Sequence, residues 1–369
     1  MKIALLGPAN VIHYQRWAYA LAARDHEVHL ISQHPDAAIA VSPVFASKTW
    51  LPIKRTWGYA GNVPALRRAL AHIQPDIVNT HYASGYGLSA SLATCHPCVL
   101  SVWGSDVYDF PYESRLKSLV LRWNLRRATA IASTSHAMAR QVARLIPGAP
   151  SAHITPFGVD CDMFTPAPQR TTGPFTIGIV KTLAPTYGVD LLVRAFAQLL
   201  QSPAMLRLDA ERPLRLLLVG DGPEHGPLQQ LVAQLGLQAR VHFAGHVTHG
   251  QVPSWLRQFD IFAAPSRSES FGVAAVEASA CGLPVVVSDA GGLPEVVDAG
   301  RTGLVVAREN VPALADALQA LALNAPLREA MGYEGRQHVL NHYEWHRCVD
   351  QMLDCYQTVI AMARGHTST

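Results

Sequence analysis

Short apolar runs alternate with longer amphipathic segments along most of the chain. Residues 2–7, KIALLG, form a run typical of a buried strand, and residues 15–32 predict a helix that ends near Arg24 and is followed by a second strand. The same order recurs through the first half of the chain, as far as LRRATAIASTSHAMARQVARLI. Strands that alternate with helices predict an α/β fold with a doubly wound, mostly parallel sheet.

A proline-rich stretch without periodicity, residues 155–174, interrupts this alternation, which restarts at FTIGIV. We interpret the stretch as a linker between two Rossmann-like domains. The sequence therefore predicts an N-terminal domain over 1–165 and a C-terminal domain over 170–349. A ligand cleft is expected between the carboxyl ends of their strands. The predicted final helix, 350–369, can pack back on the N-terminal domain.

Composition limits the classes of partner. Of the 369 residues, 49% are hydrophobic and 15% charged, which indicates a globular protein of enzyme size. The formal net charge of +3 is too small for a nucleic-acid-binding surface, so no nucleic acid partner is predicted. Lysine occurs at five positions only, which makes each lysine informative.

We expect neither a leader nor a membrane-spanning segment from the sequence. The first apolar run stops at Gly7-Pro8, and no later run approaches the roughly 20 apolar residues of a membrane-crossing helix. We therefore expect a cytoplasmic protein, peripheral on the inner face of the membrane if it contacts one. No metal site is predicted, because the Cys95–Cys98 pair has no matching second pair and His342 and His346 have no third ligand.

Two carboxylates bracket an apolar stretch in ESFGVAAVE, residues 269–277. The flanking pattern places Glu269 in a polar loop after a strand and Glu277 inside the following helix, with Gly272 where that helix begins. A helix N-terminus suits an anion such as phosphate, and a carboxylate can accept two hydroxyl hydrogen bonds from a diol. A nucleotide sugar has this shape; solvent exposure or a structural hydrogen bond is the alternative for a glutamate in this helix.

The stretch resembles the E-x7-E signature of glycosyltransferase family 4, which comprises retaining nucleotide-sugar glycosyltransferases with the GT-B fold. Further segments resemble that family in the same order along the chain: GVDCDMF at 158–164, YGVDLLVRAF at 187–196, VGDGP at 219–223, GHV at 245–247, SESFGVAAVEASACGLPVVVSDAGGLPEVV at 268–297 and GLVV at 303–306. The ordered set is far more specific than E-x7-E alone.

The resemblance implies transfer of a sugar from a nucleoside diphosphate donor to a glycan or lipid-linked acceptor, in polysaccharide or glycolipid biosynthesis, with no metal or other cofactor. It implies that Glu269 holds the donor sugar, Glu277 the ribose, and Lys181 the phosphate, with Glu269 and Lys181 as the catalytic pair. The remaining donor-side positions that it implies are Ser270, Phe271, Gly272, Val273, Gly222, His246 and Val247.

Two positions depart from the family pattern. Tyr187 stands where a second phosphate-binding lysine is usual, and Trp103 replaces a histidine before Gly104. The acceptor-side candidates are therefore His13, His81, Trp103 and Asp106. A nucleotide-sugar epimerase or hydrolase on the same fold, or a non-catalytic nucleotide-sugar-binding protein, remains as an alternative.

A basic amphipathic segment, YESRLKSLVLRWNLRRA, places Arg115, Arg122 and Arg126 among leucines and a tryptophan. Such a helix can lie on an anionic membrane surface. It can also pack through its leucines and leave the arginines in water. Among the tryptophans of the N-terminal half, Trp17, Trp57 and Trp103 fall at predicted loops or helix starts, where stacking on a sugar is an alternative to a place in the core.

Overall fold

A computed structural model describes residues 1–167 and 173–366. The middle of the predicted linker, residues 168–172, and therefore the predicted start of the second domain at 170, lies outside the described residues.

The chain divides into two compact units. The first comprises Met1–Phe157 together with the chain from His346 onward, and the second comprises Gly158–Trp345. Residues 158–165, which the sequence analysis placed in the first domain, thus group with the second. Their backbone explains this, because Val159 accepts a hydrogen bond from Trp345 N (3.0 Å) and donates one to Tyr343 O (2.8 Å).

The first unit contains a seven-stranded parallel sheet with the order β3-β2-β1-β4-β5-β6-β7. Its strands are β1 (Lys2–Leu6), β2 (Glu27–Ser32), β3 (Ser47–Trp50), β4 (Ile77–His81), β5 (Cys98–Val102), β6 (Ala130–Ser133) and β7 (His153–Ile154). The helices between them are α1 (Ile12–Ala22), α2 (Ala37–Val41), α3 (Gly58–Gly61), α4 (Val63–Ile73), α5 (Gly85–Ala93), α6 (Ser105–Tyr108), α7 (Phe110–Glu113), α8 (Arg115–Arg127) and α9 (His136–Leu145).

The second unit contains a six-stranded parallel sheet with the order β10-β9-β8-β11-β12-β13. Its strands are β8 (Phe175–Val180), β9 (Leu214–Val219), β10 (Val241–Gly245), β11 (Ile261–Ala264), β12 (Val285–Ser288) and β13 (Gly303–Val306). Its α-helices are α10 (Val189–Gln201), α11 (Pro203–Glu211), α12 (His225–Gln234), α13 (Val252–Leu256), α14 (Val273–Ala280), α15 (Leu293–Val296), α16 (Val311–Leu323) and α17 (Ala325–His342), and short 3₁₀ helices span Pro185–Tyr187 and His249–Gln251.

The last helix, α18 (Trp345–His366), belongs to the first unit from His346 onward. Its buried side chains include Tyr356, whose hydroxyl donates a hydrogen bond of 2.8 Å to Asn79 Oδ1 on β4. The helix is thus fixed to the first sheet by a buried polar contact as well as by apolar packing.

Both sheets have the same construction. Their central strands are short apolar runs that are buried on both faces, as expected when helices cover a parallel sheet on each side. In each sheet the strand order reverses next to the first strand, at β1/β4 and at β8/β11. Ligands of doubly wound sheets bind at the carboxyl ends of strands at such a point. The predicted fold class, α/β with two Rossmann-like sheets, is confirmed.

Candidate functional site

The predicted donor-side residues of the second unit gather where its strand order reverses. Lys181 directly follows β8, and the loop 265–272 connects β11 to α14. Glu269 lies in that loop, and Glu277 is the fifth of the eight residues of α14. Two neighbouring strands thus bring together residues that are 88 positions apart in the sequence.

Lys181 and Glu269 form an ion pair. The distance from Lys181 Nζ to Glu269 Oε2 is 2.6 Å, and the two side chains are only 20% and 10% exposed. The ring of Tyr187 lies 4.3 Å from the same ammonium group, at cation–π distance. Tyr187, which stands where the family usually has a second lysine, is therefore in contact with Lys181.

The charge of Lys181 is well supported. Burial by itself would lower the pKa of this ammonium group, but the carboxylates of Glu269 and Glu277, together with Tyr187, outweigh burial and raise the pKa above its ordinary value. Lys181 is therefore a cation throughout the physiological pH range, and it is the group at this strand end that can attract an anionic ligand.

The backbone of the loop that carries Glu269 is supported by two glycines. The carbonyl oxygen of Glu269 accepts a hydrogen bond from Gly292 N (3.0 Å). A β-carbon at Gly291 would lie 1.8 Å from that same oxygen, and one at Gly292 would lie 2.6 Å from the carbonyl oxygen of Ser270. Only residues without side chains allow this approach, so the Gly-Gly pair after β12 fixes the position of the loop.

Helix α14 starts without a side-chain cap. Gly272 stands at the N-cap with φ of +110°, a conformation that favours glycine, and its own β-carbon would meet Leu293 at 2.9 Å. The N-cap residue therefore supplies no side-chain oxygen to the first amide groups of the helix, which begins at Val273. Unpaired N–H groups and the positive end of the helix dipole suit a phosphate.

Glu277 is buried in α14 and has a partner that the sequence did not reveal. Its Oε1 lies 3.0 Å from Nε2 of His249, which belongs to the 3₁₀ helix after β10. A capping box between Thr248 and Gln251 holds that short helix, and the ring of Phe164 packs 5.5 Å from the histidine ring. A carboxylate in such apolar surroundings requires a pairing of this kind.

The remaining donor-side positions surround this group. Phe271 is buried and contacts the ring of Tyr343 edge-on at 5.6 Å, while Ser270 precedes it in the loop. Gly222 is needed for packing, since a β-carbon there would lie 2.4 Å from the carbonyl oxygen of Leu183. His246 is exposed and Val247 half-buried, and both follow β10.

In the first unit, His13 and Trp103 belong to an aromatic cluster at the carboxyl ends of the strands, near the β1/β4 reversal. The ring of His13 stacks on Phe157 at 4.4 Å, and the ring of Trp103 lies 5.0 Å from His81. His81 is completely buried, and within the described residues neither of its ring nitrogens has a hydrogen-bond partner. Burial lowers the pKa of His81 to about 3, so this imidazole is neutral.

Asp106 has a structural task. Its carboxylate is buried and accepts hydrogen bonds from the backbone N–H groups of Ala83 (2.8 Å), Trp103 (3.1 Å) and Gly104 (2.8 Å). Burial raises the pKa of Asp106, and these backbone donors act in the opposite direction. Because its oxygens already hold two loops together, this geometry does not favour Asp106 as an acceptor-side group.

No group of three or more metal-ligating side chains occurs among residues 1–167 and 173–366. Cys95 and Cys98 are buried free thiols, and burial raises the pKa of Cys98 to about 11. The prediction that no cofactor takes part stays a prediction.

Helix α8 presents apolar side chains outward. Leu116 and Leu119 are 71% and 63% exposed, and Trp123 lies one turn further along the same face. Leu121, Asn124 and Leu125 form the buried face instead. The helix therefore packs through Leu121 and Leu125 and leaves its arginines exposed, as the packing interpretation expects, while Leu116 and Leu119 stay outside the core. Over the part of the chain that the structure describes, none of the helices is both long and apolar enough to cross a membrane.

Two family models match the chain. Residues 2–135 match "Glycosyl transferase 4-like" and residues 164–338 match "Glycosyl transferases group 1", so the matches fall on the two sheets in turn. The chain belongs to this family of glycosyltransferases, and the predicted resemblance is confirmed.

Among curated relatives, D-inositol 3-phosphate glycosyltransferase of Saccharomonospora viridis is 34% identical over 62% of this chain and 55% of that protein. The corresponding protein of Pseudarthrobacter chlorophenolicus is 29% identical over 96% of this chain and 91% of that protein. A GDP-mannose-dependent alpha-(1-6)-phosphatidylinositol monomannoside mannosyltransferase of Mycolicibacterium smegmatis is 33% identical over 54% of each chain. The chain thus aligns with about half the length of several of these relatives.

Among solved structures, sucrose-phosphate synthase of Thermosynechococcus elongatus has a TM-score of 0.82 and 22% identity, covering 98% of this chain and 99% of that one. HepE of Anabaena, in complex with UDP, has a TM-score of 0.81 and 19% identity, covering 97% and 100%. These likenesses establish the GT-B fold.

Proposed function

We propose that the protein transfers a sugar from a nucleoside diphosphate sugar to an acceptor hydroxyl with retention at the anomeric carbon. The observation that carries the proposal is the Lys181–Glu269 ion pair beside the uncapped start of α14. A cation and the first amide groups of a helix suit a diphosphate, and the neighbouring carboxylate suits sugar hydroxyls. The complexes of HepE with UDP and with UDP-glucose support a donor of this class.

The proposed roles follow from the contacts. Lys181 and the amide groups from Phe271 to Val273 hold the diphosphate, and they stabilise the charge that develops on it as the glycosidic bond breaks. Glu269 exchanges its bond with Lys181 for hydroxyls of the donor sugar. Glu277, oriented by His249, accepts the ribose hydroxyls. The leaving diphosphate itself takes the acceptor proton, so the proposal assigns no side-chain base.

The decisive experiment removes the carboxylate of Glu269. We expect Glu269→Ala to abolish transfer from UDP- and GDP-sugars while leaving nucleoside diphosphate binding intact, because the diphosphate contacts lie elsewhere. Glu334→Ala is the matched control, since it removes a carboxylate that pairs with Arg301 in the same unit. Near-normal transfer by Glu269→Ala would contradict the proposal. Donor turnover without acceptor would favour the epimerase or hydrolase, and the anomeric configuration of the product, measured by NMR, tests retention.

We also propose that the acceptor is a glycan or lipid-linked molecule and that α8 brings the protein to an anionic membrane from the cytoplasmic side. Leu116, Leu119 and Trp123 form one exposed face of this helix, and Arg115 and Arg122 are exposed beside them. Apolar side chains that enter the headgroup region, flanked by arginines that meet lipid phosphates, are typical of interfacial helices. The name of the mycolicibacterial relative, which includes a phosphatidylinositol mannoside, supports a lipid-linked acceptor.

A further inference from the structure

The first unit has a cavity of about 490 Å³ at the carboxyl ends of β2 and β3. Gln33 and His34 directly follow β2, and the loop 51–57 follows β3 and leads into α3. The cavity therefore lies along the carboxyl-end edge of the sheet, beside the β1/β4 reversal rather than at it, and its volume is within the range of small-molecule sites. None of the acceptor-side candidates from the sequence contributes to its lining.

The walls of this cavity are fixed by internal contacts. Asn62 clamps the loop, because its side chain accepts a hydrogen bond from Ile53 N (3.0 Å) and donates one to Ile53 O (2.8 Å). A β-carbon at Gly58 would lie 2.3 Å from that same carbonyl oxygen, so glycine is required where α3 begins. The loop therefore has a defined conformation without a ligand.

The inner wall is aromatic and neutral. The hydroxyl of Tyr86 lies 2.8 Å from His34 Nδ1, and the ring of Tyr59 packs 5.3 Å from the ring of Tyr86. Burial lowers the pKa of His34, which keeps this ring uncharged at neutral pH. At the mouth, Trp57 is 62% exposed, so a large ring face remains available to a ligand.

The charge of the cavity comes from Lys54 and Arg55. Four of the five lysines of the chain have partners: Lys2 pairs with Glu27, Lys48 donates to two carbonyl oxygens, Lys117 pairs with Glu113 and Lys181 pairs with Glu269. Within the described ranges, the side chains of Lys54 and Arg55 have neither a hydrogen bond nor an ion pair, and the lining includes no aspartate or glutamate. Two adjacent, exposed cations thus line an open cavity whose lining holds no counter-charge.

We propose that this cavity binds a phosphate group of the acceptor, with Lys54 and Arg55 on the phosphate oxygens and Trp57 against the ring of the phosphorylated sugar or polyol. Arginine and lysine are the principal phosphate-binding side chains, and a neutral aromatic wall beside them suits a ring that carries the phosphate. This assignment rests on the proposed transferase function, since it names the class of its acceptor. The phosphate can belong to a soluble sugar phosphate or to a lipid headgroup.

Calorimetry with glucose 6-phosphate and with glucose tests the assignment directly. We expect the full chain to bind glucose 6-phosphate and to prefer it to glucose. The double variant Lys54→Gln/Arg55→Gln should lose about tenfold in affinity per cation for the phosphate compound only. Arg68→Gln is the matched control, because Arg68 is exposed on α4 and does not line the cavity. Equal binding of the two sugars by the wild type, or a preference that the double variant keeps, overturns the inference.

Two further measurements separate the remaining possibilities. Dihexanoyl phosphatidylinositol, used below its micelle concentration, should compete with glucose 6-phosphate. Tighter binding of the phosphatidylinositol identifies a lipid headgroup as the source of the phosphate, and tighter binding of glucose 6-phosphate identifies a soluble source. Failure of both compounds to bind overturns the site. UDP binding tests the donor side independently. A protein that binds UDP without preferring glucose 6-phosphate contradicts this inference alone, whereas one that shows the preference but transfers no sugar contradicts the proposed function alone.

Discussion

Replacement of Lys181 by alanine should weaken nucleoside diphosphate binding and also destabilise the second unit. The ammonium group lies 2.6 Å from Glu269 Oε2 in surroundings that leave the two side chains 20% and 10% exposed. Loss of one partner from a fully buried pair costs roughly 3–5 kcal/mol, and partial exposure here reduces the expected cost to about 1–3 kcal/mol. The cost arises because the partly buried carboxylate of Glu269 loses its cationic partner.

The effect on binding has a separate origin. A hydrogen bond to a charged group contributes about 1.5–3 kcal/mol, so Lys181→Ala should raise the Kd for UDP or GDP by roughly 10- to 100-fold. Glu269→Ala should leave this Kd unchanged or lower it, since it frees the ammonium group for phosphate. The two variants therefore differ in the sign of their effect on binding, although both should abolish transfer.

Isothermal titration calorimetry with UDP and GDP, together with urea unfolding, checks both expectations. Lys2→Ala serves as the control, because Lys2 pairs with Glu27 at 3.9 Å on an exposed surface, where an ion pair contributes less than about 1 kcal/mol. If Lys181→Ala binds the diphosphate as tightly as the wild type at constant ionic strength, Lys181 has no phosphate role and the proposed donor site loses the cation assigned to the diphosphate.

Two other predictions concern the first unit. Substitution of Leu116 and Leu119 by aspartate should release the protein from vesicles of phosphatidylglycerol and phosphatidylcholine, whereas Leu206→Asp, at an equally exposed leucine of α11, should not; a wild type that never sediments with these vesicles contradicts the membrane proposal. The second of these predictions concerns pH. His81 has a pKa of about 3 in the folded protein and about 6.5 when unfolded. Its contribution to the free energy of unfolding is therefore complete above pH 6.5 and is lost as the pH falls toward 3. When the pH is lowered from 7.5 to 5, the free energy of unfolding of the wild type, measured with urea, should therefore fall by about 2 kcal/mol more than that of His81→Leu.

The sheets were predictable because their strands are short, apolar and bounded by turn residues. FTIGIV, for example, corresponds to β8 without any shift. Strand β3 is different. Its sequence, Ser47–Trp50, does not alternate apolar and polar side chains, and each of its residues is half-buried, so no strand pattern marks it. The boundary of the first unit was placed too late because residues 158–165 look like linker in sequence but are hydrogen-bonded to the end of the second unit.

The donor-side carboxylates were predictable from their spacing, but their partners were not. His249 reaches Glu277 across 28 residues from another element, and no local pattern marks it. Tyr187 was noted only as a missing lysine, although its ring contacts Lys181. Asp106 was a candidate because Trp103 replaces the histidine that is usual there, but the backbone of its own turn takes up its oxygens. Sequence patterns indicate where a side chain lies along an element, and long-range pairing decides what it can do.

The Gly291–Gly292 contact with the Glu269 loop has a consequence for protein engineering. Main-chain atoms hold the backbone that carries this carboxylate, because Gly292 N donates a hydrogen bond to Glu269 O and Gly291 lies against the same oxygen. Even alanine at position 291 has no room, because its β-carbon would overlap the carbonyl oxygen of Glu269. Libraries that aim at new sugar donors should therefore keep both glycines, together with Gly272, when they vary the side chains around Glu269.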